Sequence, residues 1–201
     1  MTVQNKWDQR YGEAGFAYGT EPNDFLAASL QQLPPTGTVL CLGDGEGRNS
    51  VFLSQQGYTV TAVDSSSVGL KKAKALAAER GVTITTCYAD LAGYQLPENT
   101  YDAIISIFCH LPPPVRRQLH AQIPLSLKKG GVFLLEGYTP RQLDHGTGGP
   151  PIKDLLMEIV DLQQELHQLH IIHGTELERE IHEGRLHTRL GAVAQLIARK
   201  E

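Results

Sequence analysis

The stretch VLCLGDGEGRNSVFLSQQGYTVTAVDSS, residues 39–66, decides the fold. An apolar run rich in β-forming residues ends at Gly43, and Gly45 and Gly47 follow in alternation before a helix-like segment. Asp64 then ends a second segment in which apolar and polar residues alternate as in a strand. Strand, glycine-rich turn, helix and strand in this order predict a βαβ unit. Such units bind their ligands beyond the carboxyl ends of the strands.

The same alternation of strand-like and helix-like segments continues along the chain. Strands are predicted at residues 38–43, 58–64, 82–90, 101–108 and 131–138. Helices are predicted at residues 50–57, 67–81 and 113–131. Repeated units of this kind indicate an α/β protein with a mostly parallel sheet and helices on both faces.

The C-terminal third follows a different pattern. Residues 139–151, TPRQLDHGTGGPP, form a Gly/Pro-rich loop that is too long for a simple connection and is therefore a candidate functional loop. Residues 152–166 show the periodicity of an amphipathic helix, and residues 169–184 and 190–201 resemble two strands joined by a turn. Because no helix separates these strands, we expect them to pair antiparallel at the edge of the sheet.

Composition limits the possible partners and compartment. The chain has 201 residues, which suits one domain, and a formal net charge of −4, which gives no electrostatic reason to expect nucleic acid. No apolar run approaches the ~20 residues of a membrane span, and the N-terminus is too polar for a secretory signal. Cys41, Cys87 and Cys109 lack the spacing of disulfide or metal motifs, so we expect buried, reduced thiols in a cytoplasmic protein.

The glycine loop discriminates between possible cofactors. The dinucleotide fingerprint G-x-G-x-x-G needs its third glycine where Arg48 stands, and here the loop is G-x-G-x-G. Asp44 and Glu46 also lie in the loop, where acids disfavour a pyrophosphate and suit a cationic ligand group. The loop therefore favours S-adenosylmethionine over a nicotinamide dinucleotide, and a tight turn without a ligand is the third alternative.

Two aspartates follow neighbouring strands. Asp64 lies about 20 residues after the first glycine, where a carboxylate accepts hydrogen bonds from the two hydroxyls of a ribose. Asp90 ends the next strand and is suitably placed for an adenine amino group. Either residue alone could cap a helix, and both cofactors contain adenosine. The pair therefore predicts an adenosine site without choosing between them.

The residues together resemble a known family. VLCLGDGEGRN, TAVDSS, YADL, YDAIISI and LKKGGVFLLEGYTP resemble, in order, the motifs of class I S-adenosylmethionine-dependent methyltransferases. WDQRYGEAGFAYGTEPNDFL and the C-terminal hairpin narrow the resemblance to the thiopurine- and tellurite-resistance-like subgroup. It implies a Rossmann-like seven-stranded sheet of order 3-2-1-4-5-7-6 with strand 7 antiparallel. It also implies one domain over residues 1–201, with residues 1–24 as an N-terminal lid and residues 139–151 as a substrate-side loop.

The resemblance also implies roles for individual residues. The glycines of the loop would lie under the methionine and ribose, Asp64 with its neighbour Ser65 would bind the ribose, and Asp44 would contact the methionine ammonium. Many class I enzymes have an acid where this chain has Cys41, so Asp44 would replace it. The implied cofactor-binding residues are Trp7, Tyr11, Tyr18, Gly43, Asp44, Gly45, Gly47, Asp64, Ser65, Asp90, Leu91 and Ile107.

Catalytic and metal-binding residues are less well indicated. Methyl transfer to a soft or ionised nucleophile needs little acid–base chemistry, whereas a protonated oxygen or nitrogen needs a base. His110, after the fourth strand, is the candidate base, although a structural or pocket-wall role is preferred. His167, His170 and His173 are interpreted as surface residues, and no metal is predicted.

The predicted function is methyl transfer to a small-molecule acceptor, with no nucleic-acid or membrane partner and a plausible monomer. The alternatives are a non-catalytic S-adenosylmethionine-binding protein of the same fold and a nicotinamide-dependent oxidoreductase.

Overall fold

One seven-stranded sheet positions the glycine loop and the two predicted aspartates: Asp64 ends a strand as predicted, whereas the next strand ends at Tyr88, two residues before Asp90. The computed structural model describes residues 6–201, so residues 1–5 of the predicted lid lie outside the described residues. The strands are β1 (Thr38–Leu42), β2 (Thr59–Asp64), β3 (Thr85–Tyr88), β4 (Tyr101–Ile107), β5 (Leu127–Tyr138), β6 (His170–Glu183) and β7 (His187–Arg199). Their order is β3-β2-β1-β4-β5-β7-β6. β7 runs antiparallel to both neighbours and the other pairs are parallel, which confirms the predicted topology.

Helices cover both faces of the sheet, as predicted. They are α1 (Lys6–Tyr11), α2 (Asp24–Ala28), α3 (Arg48–Gln55), α4 (Ser67–Glu79), α5 (Pro113–His120), α6 (Ile123–Ser126), α7 (Gln142–His145) and α8 (Ile159–Glu165). Short 3₁₀ helices occupy Leu30–Gln32 and Lys153–Leu155. Among the residues that the structure describes, no helix is both long and apolar enough to cross a membrane.

Alternate residues of the central strands point into two separate core layers. In β1, Val39 and Cys41 pack with α3 and α4, whereas Leu40 and Leu42 pack with α5, α6 and α8. Both sides of β1 are therefore buried, which explains why its sequence is a continuous apolar run and not an alternating one.

Two predicted helices are interrupted in the structure. The segment 113–131 divides into α5 and α6, because Pro124 fits only in a first helical turn, and β5 begins at Leu127, earlier than predicted. The segment 152–166 is helical only in its 3₁₀ turn and in α8. Between these, the Met157 N–H donates to the Tyr138 carbonyl and the Met157 side chain is buried. Tertiary burial of that methionine outweighs the local helical periodicity.

Gly47 joins the loop to α3 and packs tightly against α4. It is the N-cap of α3 with a φ of 92°, and a Cβ built on it would lie 2.6 Å from the Cβ of Ala73. Gly57, which follows α3, has the same φ of 92°, but a Cβ built on it would meet nothing within 4 Å. The two glycines thus share a left-handed backbone and differ in packing.

This difference predicts unequal effects of one substitution. Both Gly47→Ala and Gly57→Ala should lower the free energy of unfolding by roughly 1–2 kcal/mol, because alanine disfavours the left-handed conformation. Gly47→Ala should lower the free energy of unfolding by a further ~1–3 kcal/mol, because its methyl group would overlap Ala73. Urea unfolding of the three proteins measures the difference. Equal destabilisation by the two substitutions would contradict close packing of the loop on α4.

Candidate cofactor and acceptor site

A cavity of about 570 Å³ opens beyond the carboxyl ends of β1, β2 and β4. It is where open α/β sheets bind their ligands. Of the predicted site residues, the cavity is lined by Trp7, Tyr11, Tyr18, Gly43, Asp44, Asp64, Ser65, Asp90, Leu91, Ile107 and His110. The fold thus brings together residues that are more than 100 positions apart in the chain.

Gly45 and Gly47 are not among the lining residues, although both belong to the loop. A Cβ on Gly45 would lie 2.6 Å from the hydroxyl oxygen of Tyr11, and Gly47 packs on Ala73 as described. These two glycines therefore allow α1 and α4 to approach the loop closely.

Asp64 holds the floor of the cavity in place. Its Oδ2 accepts a hydrogen bond from the Gly45 N–H at 2.8 Å, and its Oδ1 accepts one from the Ser66 N–H at 2.8 Å. Burial raises the pKa of Asp64, while these backbone N–H groups oppose that rise. The Ser65 N–H also bonds this carboxylate, so Asp64 fixes both loops and, with about four acceptor positions, can still accept a bond from the ribose.

Asp44, the acid predicted to contact the methionine ammonium, lines the cavity. Ser50 Oγ donates to its Oδ2 at 2.5 Å. Burial raises the pKa of Asp44 to about 6, and the nearby charge of Asp64 contributes to the rise. Cys41 is a buried thiol outside the cavity lining, and burial raises its pKa well above the ordinary value. Asp44 is therefore better placed than Cys41 to bind a cationic ammonium.

The N-terminal segment forms the roof of the cavity. Asp8 of α1 accepts hydrogen bonds from Ser66 Oγ at 2.5 Å and from the Val68 N–H at 3.3 Å. Glu46 accepts a bond from the Ala17 N–H at 2.7 Å and pairs with Lys72 at 2.9 Å. Glu46, one of the two acids that favoured a cationic ligand, thus binds the N-terminal segment.

Arg48 occupies the position of the missing third glycine, and its side chain reaches the C-terminal hairpin. Its Nη2 pairs with Oε2 of Glu183 at 2.6 Å, and both side chains are buried. Glu183 also pairs with Arg179 at 3.1 Å and accepts a bond from Asn23 Nδ2 at 2.8 Å. This contact of the loop helix α3 with β6 was not predicted, because no local pattern joins residues 135 positions apart.

Aromatic rings line another part of the cavity, away from the carboxylates of Asp44 and Asp64. The ring of Phe108 lies 4.6 Å from those of Tyr138 and His187, and the ring of Tyr18 lies 4.4 Å from that of His187. Phe108 has a φ of 50°, an uncommon conformation for a bulky residue that often occurs at functional sites. The remaining wall contains Leu111, Pro150, Pro151, Ile152, Leu155 and Leu186, so part of the predicted 139–151 loop lines the cavity.

His110, the candidate base, uses both ring nitrogens within the protein. Its Nδ1 lies 2.8 Å from the Leu155 carbonyl oxygen, to which it donates, and its Nε2 accepts from the Tyr138 N–H at 3.3 Å. Burial lowers its pKa to about 4. The geometry supports the preferred role as a wall residue that fixes the loop around Leu155.

His187 also lines the cavity and was missed by the sequence analysis, which assigned it to the hairpin turn. It is the first residue of β7 and lies opposite Glu183 in the register of the hairpin. The residue is 6% exposed, and its buried Nδ1 has no hydrogen-bond partner among residues 6–201. A histidine at a turn between long strands gives no sequence signal of a pocket.

The three histidines considered for a metal lie outside this cavity. His167 and His170 are exposed beside the C-terminus, as expected for surface residues. His173 is half-buried, and its ring lies 5.7 Å from that of Phe25. Within residues 6–201, no group of three potential metal ligands is close enough to hold an ion. The three cysteines are unpaired; Cys41 is buried, whereas Cys87 and Cys109 are half-buried.

Comparisons with known proteins agree with this architecture. Residues 39–131 match the methyltransferase domain family. A curated relative, the 2-heptyl-1-hydroxyquinolin-4(1H)-one methyltransferase of Mycobacteroides abscessus, is 26% identical over 145 residues, which span 70% of this chain and 64% of the relative.

Solved structures show the same fold. TehB from Haemophilus influenzae aligns with a TM-score of 0.70 at 22% identity, over 97% of this chain and 66% of that one. An S-adenosylmethionine-dependent methyltransferase from Methanosarcina mazei aligns with a TM-score of 0.68 at 18% identity, over 90% and 98% of the two chains.

Residues 39–131 thus match a methyltransferase domain, and the sheet order is that of solved S-adenosylmethionine-dependent methyltransferase structures. The carboxylates of Asp44 and Asp64 fit the ammonium and ribose of that cofactor. The resemblance noted in the sequence is thereby confirmed at the level of the class, and the nicotinamide alternative is set aside.

The predicted ribose contact can be tested at Asp64. Asp64→Asn should weaken S-adenosylhomocysteine binding by roughly 2–4 kcal/mol, because the amide is uncharged and cannot accept from both backbone N–H groups and the ribose. Calorimetric titration measures the affinity, and Asp161→Asn on α8, outside the cavity lining, is the control. Unchanged affinity in a folded Asp64→Asn protein would show that Asp64 serves only as a cap.

The raised pKa of Asp44 predicts a pH dependence. As the pH falls from about 6 towards 4, Asp44 takes up a proton in the folded protein while the unfolded chain does not. The affinity for S-adenosylhomocysteine should therefore fall, by up to roughly tenfold per pH unit, while the stability contribution of Asp44 to the free protein should rise. Calorimetry and urea unfolding across this range, with Asp44→Asn as the control, measure both. A persistent pH effect on affinity in Asp44→Asn would contradict the assignment.

Proposed function

We propose that the protein transfers the methyl group of S-adenosylmethionine to a small, planar, largely apolar acceptor. The observation that carries this proposal is the ring-lined half of the cavity. Phe108 and His187 line it, with the buried ring of Tyr138 packed behind them, beside a wall of proline, leucine and isoleucine side chains. Aromatic walls favour planar aromatic ligands, because ring pairs contribute about 0.5–1.5 kcal/mol each beyond the burial of their area.

The residues of the chain act in this proposal mainly by positioning and by excluding water. The bound cofactor supplies an electrophilic methyl group on a sulfonium. Asp64 and Asp44 hold its ribose and ammonium, and the rings orient the acceptor, so that the reacting atoms meet in line at low entropic cost. The roof formed by α1 and Tyr18 covers the cavity from the solvent side.

A relative with an aromatic acceptor supports the substrate class. The Mycobacteroides abscessus relative is a methyltransferase of a hydroxyquinolone, a planar heterocycle with an alkyl chain. The matched stretch spans 64% of that relative's length, so its substrate is a guide to chemistry and not an assignment.

The finer assignments are proposals as well. The thiopurine- and tellurite-resistance-like subgroup is supported by the aromatic N-terminal segment and the long hairpin. We also propose one domain over residues 1–201, a lid at residues 1–24, a substrate loop at residues 139–151, and a cytoplasmic monomer without nucleic-acid or membrane partners. The contacts of Tyr11 with the glycine loop support the lid, which would have to move for the cofactor to enter.

A methyl-transfer assay over matched acceptors tests the proposal. The panel contains 2-naphthol, 4-hydroxyquinoline, thiophenol, a thiopurine, tellurite, selenite, cyclohexanol, a peptide mixture and oligonucleotides. We expect the highest kcat/KM for the planar aromatic acceptors, with cyclohexanol lower by at least about tenfold, because it lacks ring–ring contacts and its hydroxyl is a much weaker acid. Activity confined to peptides or oligonucleotides would contradict the proposal. Cofactor binding without any turnover would favour the non-catalytic alternative.

A further inference from the structure

His187 is placed between the aromatic wall and a buried carboxylate. Its ring contacts Tyr18 and Phe108, and its Nδ1 lies 3.7 Å from Oε2 of Glu183. That distance is an ion-pair distance and exceeds a hydrogen bond. The Nδ1 atom is sealed from solvent without a partner, so the opposite edge of the ring, with Nε2, is the one left for a molecule in the cavity.

Glu183 is an ionised partner for this histidine. Burial by itself would raise the pKa of Glu183, but His187 and the guanidinium groups of Arg48 and Arg179 lower it to about 2. Burial lowers the pKa of His187, so the imidazole is neutral at neutral pH. A neutral imidazole beside a carboxylate can take a proton on one nitrogen while the carboxylate stabilises the resulting charge.

We propose that His187, oriented by Glu183, is the general base that deprotonates a hydroxyl-bearing acceptor; this role rests on the proposed function. The acceptor's O–H proton passes to Nε2 of His187 as its oxygen forms the bond to the methyl carbon. The carbon–sulfur bond of the donor breaks, and its electron pair stays on sulfur. His187 returns the proton to solvent after the products leave.

Several other groups from neighbouring elements surround His187. They are Arg48 of α3, Arg10 of α1, Tyr18 of the N-terminal segment, His110 after β4, Tyr138 of β5 and Glu183 of β6. Burial and the two arginines disfavour the imidazolium, whereas Glu183 favours it. Methylation of a phenol should therefore lose rate as the pH falls through the pKa of His187, which lies below the ordinary value of 6.5.

A pair of acceptors separates a base from a wall residue. At mildly alkaline pH, 4-chlorophenol is mostly protonated, whereas 4-chlorothiophenol of similar shape is ionised and needs no base. His187→Gln should lower kcat/KM for the phenol by roughly 10²- to 10⁴-fold, and for the thiol by roughly tenfold or less, the loss of one ring contact. The matched control is His182→Gln, because His182 is 78% exposed on the same hairpin. This control should behave as wild type.

A binding measurement tests the same contact without turnover. In the complex with S-adenosylhomocysteine, addition of 4-chlorophenol should shift the Cε1–H proton resonance of His187, assigned by its loss in His187→Gln. The resonance of His182 should not move. Both variants should bind S-adenosylhomocysteine like the wild type.

The outcomes distinguish the two proposals. Equal losses of phenol and thiol methylation in His187→Gln, or an unshifted His187 resonance, would overturn the base role and leave the proposed function intact. A wild-type protein inactive on both acceptors would overturn the proposed function, and the base role with it.

Discussion

The buried ion pair of Arg48 with Glu183 is the contact on which the shape of the cavity depends. It joins the helix after the glycine loop to the far end of β6. A buried ion pair often contributes little net stability, because both charges lose their hydration, but removal of one partner costs about 3–5 kcal/mol. The pair therefore mainly fixes the position of the hairpin relative to α3, since other positions of the hairpin would leave a buried charge unpaired.

The hairpin and the N-terminal segment depend on each other through the same region. Asn23 bonds to Glu183 and Glu136 at 2.8 and 2.7 Å, and the Arg185 N–H donates to the Ala17 carbonyl at 3.2 Å. A Cβ on Gly184 would overlap the backbone of residues 18 and 19, so the turn needs a glycine to lie this close. The roof and the edge of the sheet are thus one assembly that encloses the cavity from two sides.

The cavity has a carboxylate part and an aromatic part, because different elements of the fold supply its walls. The strand ends supply carboxylates, Asp44 and Asp64, which suit the polar groups of a cofactor. The loop after β4 and the hairpin supply rings, with Tyr138 at the end of β5 packed behind them. Both ring nitrogens of His110 have backbone partners, whereas Nδ1 of His187 has no hydrogen-bond partner among residues 6–201. The two histidines differ in their hydrogen bonds, although burial lowers the pKa of both.

The sequence by itself determined the sheet and the cavity residues that follow its strands. Strand periodicity, the glycine turn and the strand-end aspartates are local patterns, and parallel strands bring their carboxyl ends to one edge. Predicted helix boundaries were wrong where tertiary burial outweighed local helix preference, as at Met157, or where proline interrupted a helix, as at Pro124. The ring-bearing part of the cavity was decided by the tertiary structure alone. Arg48 and Glu183 are 135 residues apart, and His187 enters the cavity because the hairpin is held by that ion pair. No local pattern encodes a contact between such distant positions, because only the folded sheet brings them together.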